Sequence, residues 1–430
     1  MERMIGLLGL AVLLGCAYLL SSNRRLIRPR MIITGLAMQF VLGFMLLRWR
    51  GGAMAIEWFA GKVSAFLQLT DEGTRFLFGN IVNSEMIDTF GFQFAFGVLP
   101  IIIFFSAFMA VLYYFGIMQW IIEIMAIGMR RIMGTSGAET LSCTANIFVG
   151  QTEAPLLIRP FLARLTSSEL LTVMVGGFAT IAGSVLGAYV KMGVNPAHLI
   201  VGSCMAVPAA LMIGKIVQPE TEHSETAGDA KLPKLDVGSN LLDAIARGTT
   251  DGLHLALNVG AMLLAFIALI AFVNLVLGWI DTMVDGRFIG APLVDGEYRA
   301  ATWYGSVVPG SLKTLFGTLL RPLAVLMGVP SADATAVGHL IGIKLSVNEF
   351  IGYAELTKLT AAGLLSHKGE TIATFALCGF ANFSSIGIQI GGLSALAPNR
   401  RADLARLAFR AMLGGAIATC MTGTIAGMLL

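Results

Sequence analysis

The sequence predicts an all-α membrane protein of about eight transmembrane helices plus two re-entrant helical hairpins, arranged as inverted repeats. Three observations carry that expectation. The chain is 56% hydrophobic and only 13% charged, with a mean hydropathy of +0.79, whereas soluble domains carry roughly a quarter charged residues. Two carboxylates, Glu153 and Glu349, lie inside long apolar stretches, although a charge at mid-bilayer costs roughly 2.5–3.5 kcal/mol on insertion scales and so marks a functional position. The same series of landmarks also occurs twice along the chain.

Taken in order, Ile5–Leu20 is a retained first span. Arg24, Arg25, Arg28 and Arg30 follow it, the reverse of a secretory leader, and place its far end in the cytoplasm. Met31–Leu47 is the second span, 48–92 is amphipathic and lies outside or along the interface, and Phe92–Phe115 is the third span. Gln119–Met133 ends in Arg130 and Arg131 and is too short to cross, so an interfacial helix fits it. Ser136–Leu165 carries Glu153 between basic flanks and reads as a hairpin that enters and leaves on the cytoplasmic side. Leu170–Val190, interrupted by Gly176, Gly177, Gly183 and Gly187, and His198–Ile216 are spans. Gln218–Asn240 is expected as a mobile cytoplasmic loop, Leu255–Trp279 as a span and 280–310 as an outer loop. Leu312–Met327 is a second interfacial helix, Ala336–Leu356 the second hairpin, and Thr371–Leu396 and Leu404–Leu429 the last spans. Eight spans put both termini on the outer side.

The repeat is visible in the letters. Met133-Gly134 precedes Glu153, and Met327-Gly328 precedes Glu349; Gly177-Phe178-Ala179-Thr180 follows the first acid, and Gly379-Phe380-Ala381-Asn382 the second. One intervening span forces the two units into opposite orientation, an architecture that places a transporter's site between the repeats near mid-membrane. Expected units are 1–118 (scaffold spans), 119–216 (first transport repeat), 217–310 (loops and a central scaffold span) and 311–430 (second transport repeat).

The cavity expected between the hairpins holds Gln151, Thr152, Glu153, Asn348, Glu349, Asn382 and Ser385, with Phe380 placed to pack on a flat ring. An amide offers donor and acceptor to a heterocycle, and a carboxylate accepts from a vicinal diol. Two acids with no basic partner except Lys344 favour a polar uncharged ligand over an anion, and Lys344 itself reads as a structural partner for a carboxylate or a helix end. The net charge of +3 comes with no basic run, which argues against nucleic acid. The five cysteines stand singly, and His198, His254 and His339 are scattered, so neither disulfides, a zinc site nor a cofactor is indicated.

Gly150-Gln151-Thr152-Glu153-Ala154-Pro155 resembles the first-hairpin motif of the concentrative nucleoside transporters. Gly342-x-Lys344-x-x-x-Asn348-Glu349-Phe350-x-x-Tyr353 and Gly379-Phe380-Ala381-Asn382-Phe383-Ser384-Ser385-Ile386-Gly387 are similar to two further blocks of that family, with Ile351-Gly352 as a departure in the former. The resemblance implies that Gln151, Thr152 and Glu153 meet the nucleobase, that Glu349, Asn382 and Ser385 hold the ribose, and that Phe380 packs near the ligand. It further implies a sodium ion at the side chains of Asn146 and Thr180 and the carbonyls of Val149 and Ile181, no other cofactor, and a homotrimer in the lipid bilayer. The function expected is sodium-coupled nucleoside symport by alternating access. Proton coupling, an intramembrane enzyme using the two Glu residues, and a channel or receptor are the competing readings. The absence of spans before Ile5 points to a bacterial inner membrane.

Overall fold

The computed structural model describes residues 2–82, 93–227, 238–289 and 309–430, and among them every regular element is helical. The N-terminal part supplies α1 (Glu2–Leu19), α2 (Pro29–Gly43), α3 (Arg50–Gln68), α4 (Thr70–Phe78), α5 (Leu99–Tyr114) and α6 (Ile117–Met133). The first repeat continues with α7 (Gly137–Ala145), α8 (Ser167–Ala179), α9 (Gly183–Lys191) and α10 (Pro196–Val217). After α11 (Leu241–Asp281), the second repeat runs through α12 (Leu312–Leu326), α13 (Ala334–Ser346), α14 (Glu349–Ala361), α15 (His367–Leu377), α16 (Phe383–Leu396) and α17 (Arg401–Leu429). In each repeat a short helix is followed by a hairpin, a broken span and a plain span. α1 and α2 pack on α17 and α10, and α5 packs along α11.

The hairpins differ in their return arms. In the second, α13 and α14 are separated only by Val347 and Asn348, and Asn348 Oδ1 caps α14 by accepting from the Ile351 N–H at 3.0 Å. In the first, α7 leads into an irregular turn, and the chain returns as two short turns, Ala154–Ile158 and Arg159–Leu162. Pro155 and Pro160 stand in the first turns of these two segments, where proline fits because the N–H has no helical partner to lose.

The breaks fall elsewhere than the glycines suggested. α8 runs unbroken through Gly176 and Gly177 and stops at Thr180, whose φ and ψ of −121° and 163° are extended. In the second repeat the interruption spans Cys378 to Asn382. The two interruptions meet: the Phe380 N–H donates to the Thr180 carbonyl at 3.2 Å. Two half-broken helices thus satisfy each other's backbone in the middle of the protein.

Two loop and span expectations need correction. Gln218–Asn240 is not a loose loop in its described part, because Ser224 and Thr226 donate to Glu169 at 2.6 and 2.8 Å, and the Gly137 N–H donates to the Thr226 carbonyl at 2.8 Å. Residues 228–237 lie outside the described set, as do Phe92 and 290–308, most of the expected outer loop. The central span is longer than Leu255–Trp279. α11 starts at Leu241, where Asn240 accepts from the Asp243 N–H at 3.0 Å, and its 41 residues extend about 60 Å, twice a bilayer's hydrocarbon core. Its polar first half is held by small residues, since a Cβ on Gly248 would lie 2.8 Å from the Ser106 carbonyl oxygen, and one on Gly252 2.8 Å from Ile103 Cα.

Lys344 is 1% exposed and is spent on structure, donating to the Ala376 carbonyl at 2.7 Å and to Thr419 Oγ1 at 2.8 Å. Ala376 lies at the end of α15, where carbonyls lose their helical partners. Lys344→Met should therefore lower stability by about 1–2 kcal/mol while leaving ligand discrimination unchanged, measured by thermal unfolding in detergent alongside ligand titration.

Candidate functional site

Glu349 is the first residue of α14 and is 3% exposed. Its carboxylate is held from two sides: Tyr189 OH donates to Oε1 at 2.9 Å and Asn382 Nδ2 donates to Oε2 at 3.1 Å. Asn382 cannot turn round. Its Oδ1 caps α16 by accepting from the Ser385 N–H at 2.8 Å and also takes a bond from Ser384 Oγ at 2.7 Å. Asn382 therefore turns its NH2 to the site, where one of its two N–H bonds is engaged by Glu349. Tyr189 carried no sequence signal of its own; its ring lies between Phe350 and Tyr353, at centroid distances of 4.7 and 4.5 Å. Tyr189→Phe removes one hydrogen bond to a carboxylate and should weaken ligand binding about three- to tenfold, read by isothermal titration.

The first hairpin contributes a second polar cluster. Gln151 is 7% exposed, and its Oε1 accepts from Gln389 Nε2 at 3.0 Å. Thr152 packs against Gly392, where a Cβ would come within 2.8 Å of its methyl. Glu153 is exposed at the tip and folds back over Gly150. Phe380 is half-buried, and Asn348 is committed to capping α14.

One helix connects the clusters. Ser385, Gln389 and Gly392 fall at i, i+4 and i+7 on α16, one face of a helix. Ser385 stands beside Asn382 and Glu349, Gln389 meets Gln151, and Gly392 meets Thr152. The acid cluster and the amide cluster are thus set roughly 6–10 Å apart along that face. Glu349 and Glu153 sit on different hairpins and share no hydrogen bond among those described.

A third group of atoms lies where the first hairpin turns. Asn146 is 1% exposed; its Nδ2 donates to the Ser142 carbonyl at 3.1 Å, and its Oδ1 has no partner among the described residues. Thr180, also 1% exposed, spends its hydroxyl proton on the Gly176 carbonyl at 2.9 Å. Each side chain turns a donor to its own helix and keeps oxygen lone pairs. The Gly183 N–H donates to the Phe148 carbonyl at 3.1 Å and ties the hairpin turn to the break, placing Val149 and Ile181 on the two joined segments. Oxygen acceptors without donors suit a hard monovalent or divalent cation.

The whole chain has known counterparts. Three family models match it: "Na+ dependent nucleoside transporter N-terminus" over residues 8–81, "Nucleoside recognition" over 95–195, and "Na+ dependent nucleoside transporter C-terminus" over 198–427. An uncharacterized transporter of Haemophilus influenzae is 43% identical over 436 residues, covering 100% of this chain and 98% of that protein. Sodium/nucleoside cotransporter 1 of Rattus norvegicus is 41% identical over 443 residues, and there the match spans all of this chain but 64% of the relative. CNTnw in an inward-facing substrate-bound state is 42% identical, with a TM-score of 0.90 and coverage of 100% and 98%. A CNTnw variant in an outward-facing state matches at 41% identity with a TM-score of 0.89, over the same shares of the two chains. With the family models covering nearly its full length, and the two clusters and the crossing breaks in place, the chain is a multi-pass membrane protein that belongs to the family of Na+-dependent nucleoside transporters.

Proposed function

We propose that this protein carries nucleosides into the cell together with sodium, by alternating access. The observation that carries the reading is the single face of α16 that joins a buried carboxylate held by Tyr189 and Asn382 to an amide on the opposite hairpin. A diol at one end and a heterocycle at the other is the ligand such a face accepts. Glu349, with Asn382 and Ser385, takes the ribose hydroxyls; Gln151, Thr152 and Glu153 meet the base; Phe380 packs on the ligand. Sodium binds at Asn146, Thr180 and the carbonyls of Val149 and Ile181, and the partnerless Asn146 Oδ1 supports that placement.

The repeats 119–216 and 311–430 carry the substrate and move against a frame drawn from 1–118 and 217–310, with α11 along α5 at its centre. Homotrimer assembly within the bilayer of a bacterial inner membrane belongs to the same proposal. One sodium ion entering gains about 2.3 kcal/mol per 100 mV, which is more than tenfold in concentration. The reading of the two Glu residues as an enzyme's acid and base gives way to the family, whose members are transporters.

Sodium and nucleoside should bind cooperatively, since coupling between two sites is reciprocal. Titrating uridine and adenosine into detergent-purified protein at rising sodium should show affinity increasing with sodium. Affinity that ignored sodium but changed with pH would replace sodium by a proton, with Glu153 as its carrier.

A further inference from the structure

We propose that Gln389 is a positioning residue that fixes the Gln151 amide with its NH2 group toward the substrate, so that the site selects nucleosides whose base presents a hydrogen-bond acceptor at that point. The inference rests on the nucleoside reading of the site. It follows from the donors and acceptors available. A main-chain carbonyl can only accept, so the Gln389 atom 3.0 Å from the Met174 carbonyl must be Nε2. The same nitrogen lies 3.0 Å from the Gln151 side chain, so Gln151 must turn its oxygen inward. An amide has one oxygen and one nitrogen, and the nitrogen is what remains for the cavity. Because the assignment starts from a backbone oxygen, it is free of the ambiguity that usually attends the two ends of an amide.

The surroundings are built for this pair. Gln389 is 1% exposed, and its own Oε1 has no hydrogen-bond partner among the described residues. A buried acceptor left unpaired is costly, and an apolar side chain of similar length would pack there without that cost. What glutamine adds is the two bonds at Nε2. Gly177 of α8 leaves the space they need, since a Cβ on it would lie 2.4 Å from Gln389 Nε2 and 2.9 Å from Gln151 Cβ. The first hairpin, α8 directly after it, and α16 from the other repeat thereby converge to set one donor.

The test is isothermal titration at saturating sodium of wild type, Gln389→Met, Gln151→Met and Gln151→Glu. The probes are uridine, its two analogues that each lack one base carbonyl oxygen, and 2′-deoxyuridine as a ribose control. If adenosine binds where uridine does not, its analogues with one ring nitrogen replaced by C–H take their place. Wild type should lose about five- to thirtyfold in affinity for at least one acceptor-deleted analogue. In Gln389→Met that penalty should fall to about threefold or less, while the penalty for 2′-deoxyuridine stays as in wild type. Gln151→Glu still offers Gln389 an oxygen but has no NH2, so it should lose uridine affinity as far as Gln151→Met does. That comparison decides the matter alone if Gln389→Met fails to fold. Three results would overturn the proposal: Gln151→Glu binding uridine as wild type does, an acceptor penalty undiminished in Gln389→Met, or no acceptor penalty in wild type. Wild type that bound neither uridine nor adenosine would instead overturn the nucleoside reading beneath it.

Discussion

Glu349→Gln is expected to weaken nucleoside binding by about 1.5–3 kcal/mol, roughly one to two decades in Kd. The carboxylate takes Tyr189 OH on one oxygen and Asn382 Nδ2 on the other, and its remaining lone pairs are left for a ligand. Asn382 must present its NH2, because its oxygen is the cap of α16. A glutamine at 349 would therefore turn its single oxygen to Asn382 and its NH2 to Tyr189, whose hydroxyl proton then loses its acceptor. The ribose meets a neutral group where a charged one stood, and charge-assisted bonds are about twice as strong as neutral ones. Isothermal titration of uridine and its deoxy analogues should show the loss shrinking for whichever analogue already lacks the contacted hydroxyl. Equal losses across the series would make Glu349 a folding residue. The rival pairing of Glu349 with Lys344 is disfavoured, because Lys344 donates to Ala376 and Thr419.

Asn146→Ala should raise the sodium concentration for half-maximal uptake about ten- to hundredfold, the scale of one lost bond between an oxygen and a charged group. The substitution deletes a buried side-chain oxygen at the hairpin turn that has no partner among the described residues and whose amide nitrogen is turned away to the Ser142 carbonyl. Thr180→Ala should act in the same direction and less strongly, because Thr180 also holds the Gly176 carbonyl and its loss is partly structural. Neither residue belongs to the clusters at Glu349 and Gln151, so nucleoside affinity at saturating sodium should stay within about threefold of wild type. Sodium dependence of uptake at fixed uridine checks both, and unchanged half-saturation in Asn146→Ala would remove Asn146 from the ion's ligands.

Much of this fold can be read in the letters. Hydropathy places the spans, the two Glu motifs place the hairpins, and the paired Gly-Phe-Ala blocks place both broken helices. What the letters hide is long-range. Helix-breaking glycines suggested interruptions at Gly176 and Gly177, yet α8 passes through them, and Gly177 serves instead to admit Gln389. Tyr189 and Gln389 sit in ordinary apolar helices, and only the packing of one repeat on the other brings them to Glu349 and Gln151. The ordered stretch after α10 was legible in part. Ser136-x-x-Glu139 and Thr166-x-x-Glu169 are capping boxes at the starts of α7 and α8, and Glu169 then gathers Ser224 and Thr226 from a stretch that looks unstructured by composition. The start of α11 was missed because charges at Asp243, Arg247 and Asp251 mask a helix held by Gly248 and Gly252 against α5.

Sodium entry is expected to drive nucleoside accumulation through this chain. This coupling is tested most directly by uptake of radiolabelled uridine and adenosine into proteoliposomes under an imposed inward sodium gradient, with an inward proton gradient in sodium-free buffer as the parallel arm. A transient internal concentration above the external one is expected in the sodium arm only, abolished by collapsing the gradient and shifted to higher sodium by Asn146→Ala. Accumulation in the proton arm without sodium, or equilibration that never exceeds the outside concentration in either arm, would contradict it.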